Sequence, residues 1–137
     1  MQTVERMIAA SPRKSTAKAG LVDCIAACIE CAEACVLCAD ACLAEEQVAA
    51  LRRCIRLNRD CADICSASAS VLSRLVDADV GVLRAQLEAC AVICASCEAE
   101  CSKHAQRHEH CKICAEICRR CEQQCRKALG TFQAAAA

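Results

Sequence analysis

Residues 24–42 read CIAACIECAEACVLCADAC, placing cysteine at 24, 28, 31, 35, 38 and 42, so the intervals run four, three, four, three, four. Three-and-four spacing marks one face of an α-helix, and a mean period near 3.5 keeps that face turned toward its partners along the whole rod. The stretch is a heptad seam in which thiols occupy the positions usually held by Leu, Ile or Val.

The pattern recurs downstream. Cys90, Cys94, Cys97 and Cys101 repeat it, as do Cys111, Cys114, Cys118, Cys121 and Cys125. A further stripe holds Cys54, Cys61 and Cys65, and the slot between its first two thiols is filled by Asn58, in register with them. Between the cysteines lie Ala, Leu, Glu, Arg and Gln, all strong helix formers. The 137 residues include only three glycines and one proline.

The spacing predicts helices over about 21–43, 45–76, 80–104 and 108–129. Asp77 and Asp79 form an acidic connection and an N-cap for the third, and Gly130 is the expected stop of the fourth. Residues 1–19 make an arm, with a short helix at 3–10, a Ser11-Pro12 break and a basic linker; it reads either as a frayed tail or as a docked helix. Residues 131–137, TFQAAAA, are left as a C-terminal tail. Short connections between amphipathic helices predict an all-α, antiparallel up-down-up-down four-helix bundle over 20–130, with every cysteine face on the axis.

Eighteen cysteines in 137 residues is about 13%, above the roughly 8 to 10% that marks small disulfide scaffolds. Such scaffolds are loop-rich and secreted, whereas this chain is turn-poor and its first twenty residues hold no apolar run of the kind a secretory signal needs. A cytoplasmic, reducing setting with free thiols is the expectation. Disulfides within a helix are also disfavoured, because Cβ atoms three or four residues apart lie about 5 to 6 Å from each other while the bond wants about 3.5 to 4.5 Å. Seventeen basic and seventeen acidic residues cancel, which leaves no electrostatic footprint for nucleic acid, and no membrane span is expected. Thiols acting merely as small apolar filler would be scattered among larger side chains. Here they hold nearly every seam position of three helices, so the core needs something between the sulfurs.

Soft thiolates select Cu(I), Zn(II) or iron–sulfur clusters. Eighteen Cu(I) ions would balance eighteen thiolates, whereas tetrathiolate zinc would supply only about nine positive charges and leave about nine buried negative ones uncompensated. Iron–sulfur clusters favour loop-borne runs such as CxxCxxCxxxCP, which are absent. The expected cargo is many copper(I) ions; a zinc or mixed-metal thiolate buffer is the alternative. No paired nucleophile and base, phosphate loop or lone reactive thiol pair suggests an enzyme.

The predicted topology gathers Cys42, Cys101, Cys111 and the histidines His104, His108 and His110 at one end. His104 continues the third seam and His108 precedes Cys111 by three, so both are expected to face the axis at a metal entrance, with His110 beside them; the bland reading is three polar residues in an exposed loop. The other end collects Leu72, Leu75, Val76, Leu83, Leu87, Leu129 and Phe132 as an apolar plug. Asn58 is either a carbonyl ligand or a register-fixing polar residue. Arg52, Arg53, Arg56, Arg119 and Arg120 read as a solvated face or a subunit contact.

The repeated motifs in 24–42, in CAVICASCEAEC (90–101) and in CKICAEICRRCEQQC (111–125) resemble the cytosolic branch of the four-helix-bundle copper storage proteins over about residues 20 to 130. The resemblance implies storage or sequestration of Cu(I) by thiols inside each bundle, and a homotetramer. Copper ions are the implied partners; a chaperone or efflux partner is left unspecified.

Overall fold

The cysteine seams lie on the helices that their spacing predicts. A computed structural model of the protein describes residues 2–12 and 19–136, so most of the expected basic linker lies outside the described residues. The helices are α1 (Gln2–Ala10), α2 (Ala19–Leu43), α3 (Arg52–Leu72), α4 (Val80–Ser102) and α5 (Glu109–Ala136). α2 packs beside α3 and α5, and α4 beside the same two, so α2 and α4 lie diagonally across the bundle, as do α3 and α5. The short arm α1 docks on α2, with Val4 and Ile8 half-buried against the core.

All eighteen cysteines are free, and none is more than 2% exposed. The closed end is sealed by Leu72, Leu83 and Leu87, with Leu75, Leu129 and Phe132 packed against them. Val76 was expected in that plug but is 67% exposed. α3 stops at Leu72 rather than at 76, and the chain reverses through Asp77, whose φ of 55° is tolerated better by Asp than by most residues. Asp79 caps α4, its Oδ1 accepting from the Gly81 and Val82 backbone N–H groups at 2.9 and 3.3 Å.

Three other boundaries differ from the sequence reading. The second helix was expected from Glu45; instead the chain turns over 44–47 and makes a 3-10 turn, Val48–Leu51, before α3 begins. That turn drives Leu51 into the core at 1% exposure, which anchors the reversal without glycine or proline. α4 ends at Ser102, so His104 lies in a turn rather than on the helix. α5 runs through Gly130 to Ala136: that glycine does not adopt the left-handed conformation of a helix stop, and the alanine-rich sequence beyond it favours helix. Among the described residues one helix, α4, is long and apolar enough to cross a membrane by length and composition. Its four cysteines, Leu83, Leu87 and Ala91 all face the bundle core.

Candidate metal centre

Sulfurs from all four bundle helices meet on the axis. Cys28 on α2 reaches Cys90 on α4 across the diagonal at 3.8 Å. Neighbouring helices contribute Cys31–Cys118 at 3.8 Å, Cys35–Cys118 at 3.7 Å, Cys65–Cys94 at 3.6 Å and Cys54–Cys101 at 3.6 Å.

These contacts form groups of four thiols with shared members. From the closed end they include Cys28/Cys90/Cys121/Cys125, Cys31/Cys65/Cys94/Cys121, Cys31/Cys35/Cys61/Cys118, Cys35/Cys97/Cys114/Cys118 and Cys38/Cys42/Cys54/Cys111. Cys24 extends the first group through Cys125 at 3.8 Å, and Cys101 joins the fourth through Cys97 at 4.0 Å. Because Cys31, Cys35, Cys118 and Cys121 each belong to two groups, the sulfurs form a thread rather than separate cages.

Metal–thiolate bonds near 2.3 Å place two sulfurs about 4.0 Å apart around a trigonal ion and about 4.6 Å apart around a linear one. The contacts of 3.6 to 4.0 Å therefore need to open by at most about 1 Å to accept low-coordinate soft ions.

The charge state of the thread is set by sulfur–sulfur hydrogen bonds working against burial. Bonds shared with Cys125 and Cys28 bring the Cys24 thiol down to about 5, because they favour its charged form. Cys38 is lowered to about 6, chiefly by Cys101. Cys28 and Cys94 are pushed far up by bonds to their neighbours, first among them Cys121, with burial adding to the rise. Sulfur–sulfur hydrogen bonds thus favour charge at some positions of the thread and oppose it at others.

Asn58 is fully buried inside this thread. Its Oδ1 accepts from the thiols of Cys97, Cys114 and Cys101 at 3.1, 3.3 and 3.5 Å, and its Nδ2 donates to Cys54 Sγ at 3.6 Å. The geometry suits both roles read from the sequence, an oxygen donor to metal and a polar pin for helix register.

The histidines do gather at the open end, but not as expected. His104 Nε2 pairs with Glu100 Oε2 at 3.0 Å, and His108 Nδ1 with Glu45 Oε2 at 2.5 Å. The histidine that reaches sulfur is His110, whose Nδ1 lies 3.4 Å from Cys38 Sγ and 3.6 Å from Cys111 Sγ. The reason is local: His108 stands at the start of α5, its carbonyl accepting from the Cys111 and Lys112 N–H groups at 3.1 and 3.2 Å, and its ring turns to Glu45, while His110 adjoins the seam. Burial disfavours the His110 cation, yet hydrogen bonds to Cys38 and Glu45 raise its pKa overall.

Sequence reasoning missed Glu45 and Glu100. Burial raises the Glu100 pKa, but hydrogen bonds to His104 and Lys103 bring it below the usual value. The four-residue spacing of Glu100 and His104 was a readable signal. Glu45 had none, because its partners lie on a distant helix. Arg119 pairs with Glu98 and Arg56 with Asp60 on the outer surface of the bundle.

A family model described as copper storage protein matches residues 17–130. The copper storage protein Ccsp from Streptomyces lividans, in a structure loaded with 10 copper equivalents, is 48% identical; the alignment covers 93% of this chain and 98% of that one, with a TM-score of 0.90. The Cu(I)-bound copper storage protein BsCsp3 is 41% identical over 76% of this chain and 92% of its own, with a TM-score of 0.68. An uncharacterized cysteine-rich protein of Bacillus subtilis, YhjQ, is 42% identical over 89 residues, which are 65% of this chain and 77% of that protein. With the family model spanning most of the chain and the same thiol-lined bundle beneath it, this protein belongs to the copper storage protein family.

Proposed function

We propose that this chain stores copper as many Cu(I) ions held by thiolates along the axis of its bundle. The observation that carries the reading is the thread of eighteen buried thiols, its groups joined by shared members or, at the open end, by the 3.6 Å contact of Cys54 with Cys101. A monovalent ion per thiolate neutralises such a thread, while divalent ions at about one per four thiols would leave roughly half of its negative charge uncompensated in the core. Soft sulfur also prefers Cu(I) among the ions expected in a cell. Storage and detoxification use the same chemistry, since either withdraws free copper.

Loading begins at the histidine end. An open vestibule of about 650 Å³ at this end is lined by Glu45, Leu51, His104, Arg107 and His108 among others, and its Glu45 contacts His110, while leucines close the far end. The reading places the protein in the cytoplasm, where the thiols stay reduced. It also places four copies together. Ile29, Val36 and Leu43 recur every seven residues on the outer side of α2, are 38%, 52% and 62% exposed, and suit burial against a second copy.

Anaerobic titration of the fully reduced protein with Cu(I) against a competing chelator tests the function. Saturation near one copper per thiol, with thiol counting alongside, is the expected result. Saturation at one to four ions, or preference for zinc at about one ion per four thiols, would overturn it.

A further inference from the structure

Glu45 sits in the turn after α2, and its Oε2 faces two imidazoles at once. His108 Nδ1 lies 2.5 Å from that oxygen and His110 Nε2 lies 3.1 Å from it. The two rings stack with centroids 5.4 Å apart and planes 22° from parallel. All three side chains are partly exposed, at 32%, 20% and 26%, so this is a built contact at the rim rather than part of the sulfur core.

An ionised carboxylate only accepts hydrogen bonds, so the imidazole nitrogen facing it must carry the proton. A neutral imidazole has one N–H, and its other nitrogen is then a bare lone pair. For a neutral His110 that fixes Nε2–H toward Glu45 and turns the Nδ1 lone pair to the thiols, 3.4 Å from Cys38 Sγ and 3.6 Å from Cys111 Sγ, where it accepts an S–H until metal takes the proton's place. For His108 it fixes Nδ1–H and leaves Nε2 free on a ring that lines the vestibule. One carboxylate thereby sets opposite tautomers on two neighbouring histidines. The outer ring offers a donor atom on the solvent side, and the inner ring offers one to the last sulfur group.

We propose that Glu45 is a positioning residue for copper uptake, orienting His108 and His110 as a two-step nitrogen relay from the vestibule to Cys38 and Cys111. The inference rests on the reading of the histidine end as the loading route. Carboxylates that hold metal-binding imidazoles in this way commonly change affinity or activity about 10- to 100-fold when removed. Glu45 touches no thiol, so it acts on rate and tautomer and leaves capacity alone.

The experiment compares the full-length reduced protein with its Glu45→Ala, His110→Ala and doubly substituted variants, all loaded anaerobically with a Cu(I)–chelator complex in a stopped-flow cell. Long-range proton–nitrogen spectra of the histidine rings are recorded before loading. The expected results are an uptake rate about tenfold lower for Glu45→Ala, a double variant no slower than His110→Ala, unchanged final copper per thiol, and a wild-type His110 with its proton on Nε2 that becomes a tautomer mixture in Glu45→Ala. If His110→Ala loads at the wild-type rate, the route itself is wrong and the relay falls with it. If His110→Ala is slow while Glu45→Ala loads normally, or retains the Nε2–H form, the route stands and the role of Glu45 is overturned. A drop in capacity or in melting temperature matching the rate change would mark Glu45 as merely structural and overturn the role as well.

Discussion

Replacing Asn58 with Leu separates what the metal-free bundle needs from what the loaded one needs. The two side chains have the same number of heavy atoms and the same branching, so the change removes polarity more than volume. In the metal-free protein the Asn58 carbonyl is the acceptor for three buried thiols, on Cys97, Cys101 and Cys114, and its amide donates to Cys54. Thiols are weak donors, so each lost bond is worth about 0.5 kcal/mol and the set about 2 kcal/mol. At this chain length that lowers the melting temperature of the metal-free protein by about 5 to 10 °C. On loading, the thiols give up their protons and no longer need an acceptor. The loaded variant should therefore melt close to the loaded wild type, and its first ions should bind slightly tighter, because the competing apo state has been weakened. Calorimetry of both forms, at matched copper per thiol, is the assay. An unchanged midpoint for the metal-free variant would refute the hydrogen-bond argument. A loss of one ion of capacity together with an equal fall in the loaded midpoint would identify the carbonyl as a ligand instead.

Other consequences follow from the same geometry. Substituting His104, His108 and His110 together with Ala should slow Cu(I) uptake and leave final capacity nearly unchanged, with His110→Ala alone producing most of the effect, as read by stopped-flow absorbance of thiolate-to-copper bands. Leu87→Ala at the closed end removes a fully buried side chain and should cost about 2 to 5 kcal/mol in denaturant unfolding of the metal-free protein; a smaller loss would mean the plug can collapse around the gap. Asp79→Ala deletes the α4 cap and should cost about 1 kcal/mol, measured the same way. If the proposed tetramer forms through the exposed α2 ridge, Val36→Glu should shift it toward monomers in light scattering without changing copper per thiol. An intact tetramer would remove α2 from the interface.

The eighteen seam thiols were legible because a heptad stripe leaves little freedom: once α2, α4 and α5 are helices, the thiols can only face one way. Asn58 was legible for the same reason, as a break within a register. Boundaries were harder. Glu45 to Leu51 looks helical in composition, yet the chain must reverse there, and the burial of Leu51 decides where; that is a tertiary contact with no local sign. Gly130 looked like a stop, but glycine ends a helix only where the chain must turn left-handed, and nothing beyond it requires a turn. Val76 belonged to the apolar plug by composition and is exposed because Asp77 takes the reversal. Among the histidines a partner distant in sequence made the difference: Glu45 holds His108 at the rim and turns His110 Nδ1 toward Cys38 and Cys111. His110 rather than His108 meets sulfur, and no reading of spacing alone reveals that contact.

The central claim is that copper occupies the shared-sulfur thread along the bundle axis. Crystals of the reduced protein loaded with Cu(I) under argon, measured on both sides of the copper absorption edge, test it directly. The account predicts a row of anomalous peaks from near Cys24 to near Cys38 and Cys111, each within about 2.3 Å of two or three sulfurs. Peaks confined to the surface histidines, or an axis without anomalous scatterers in protein that has taken up copper, would contradict it.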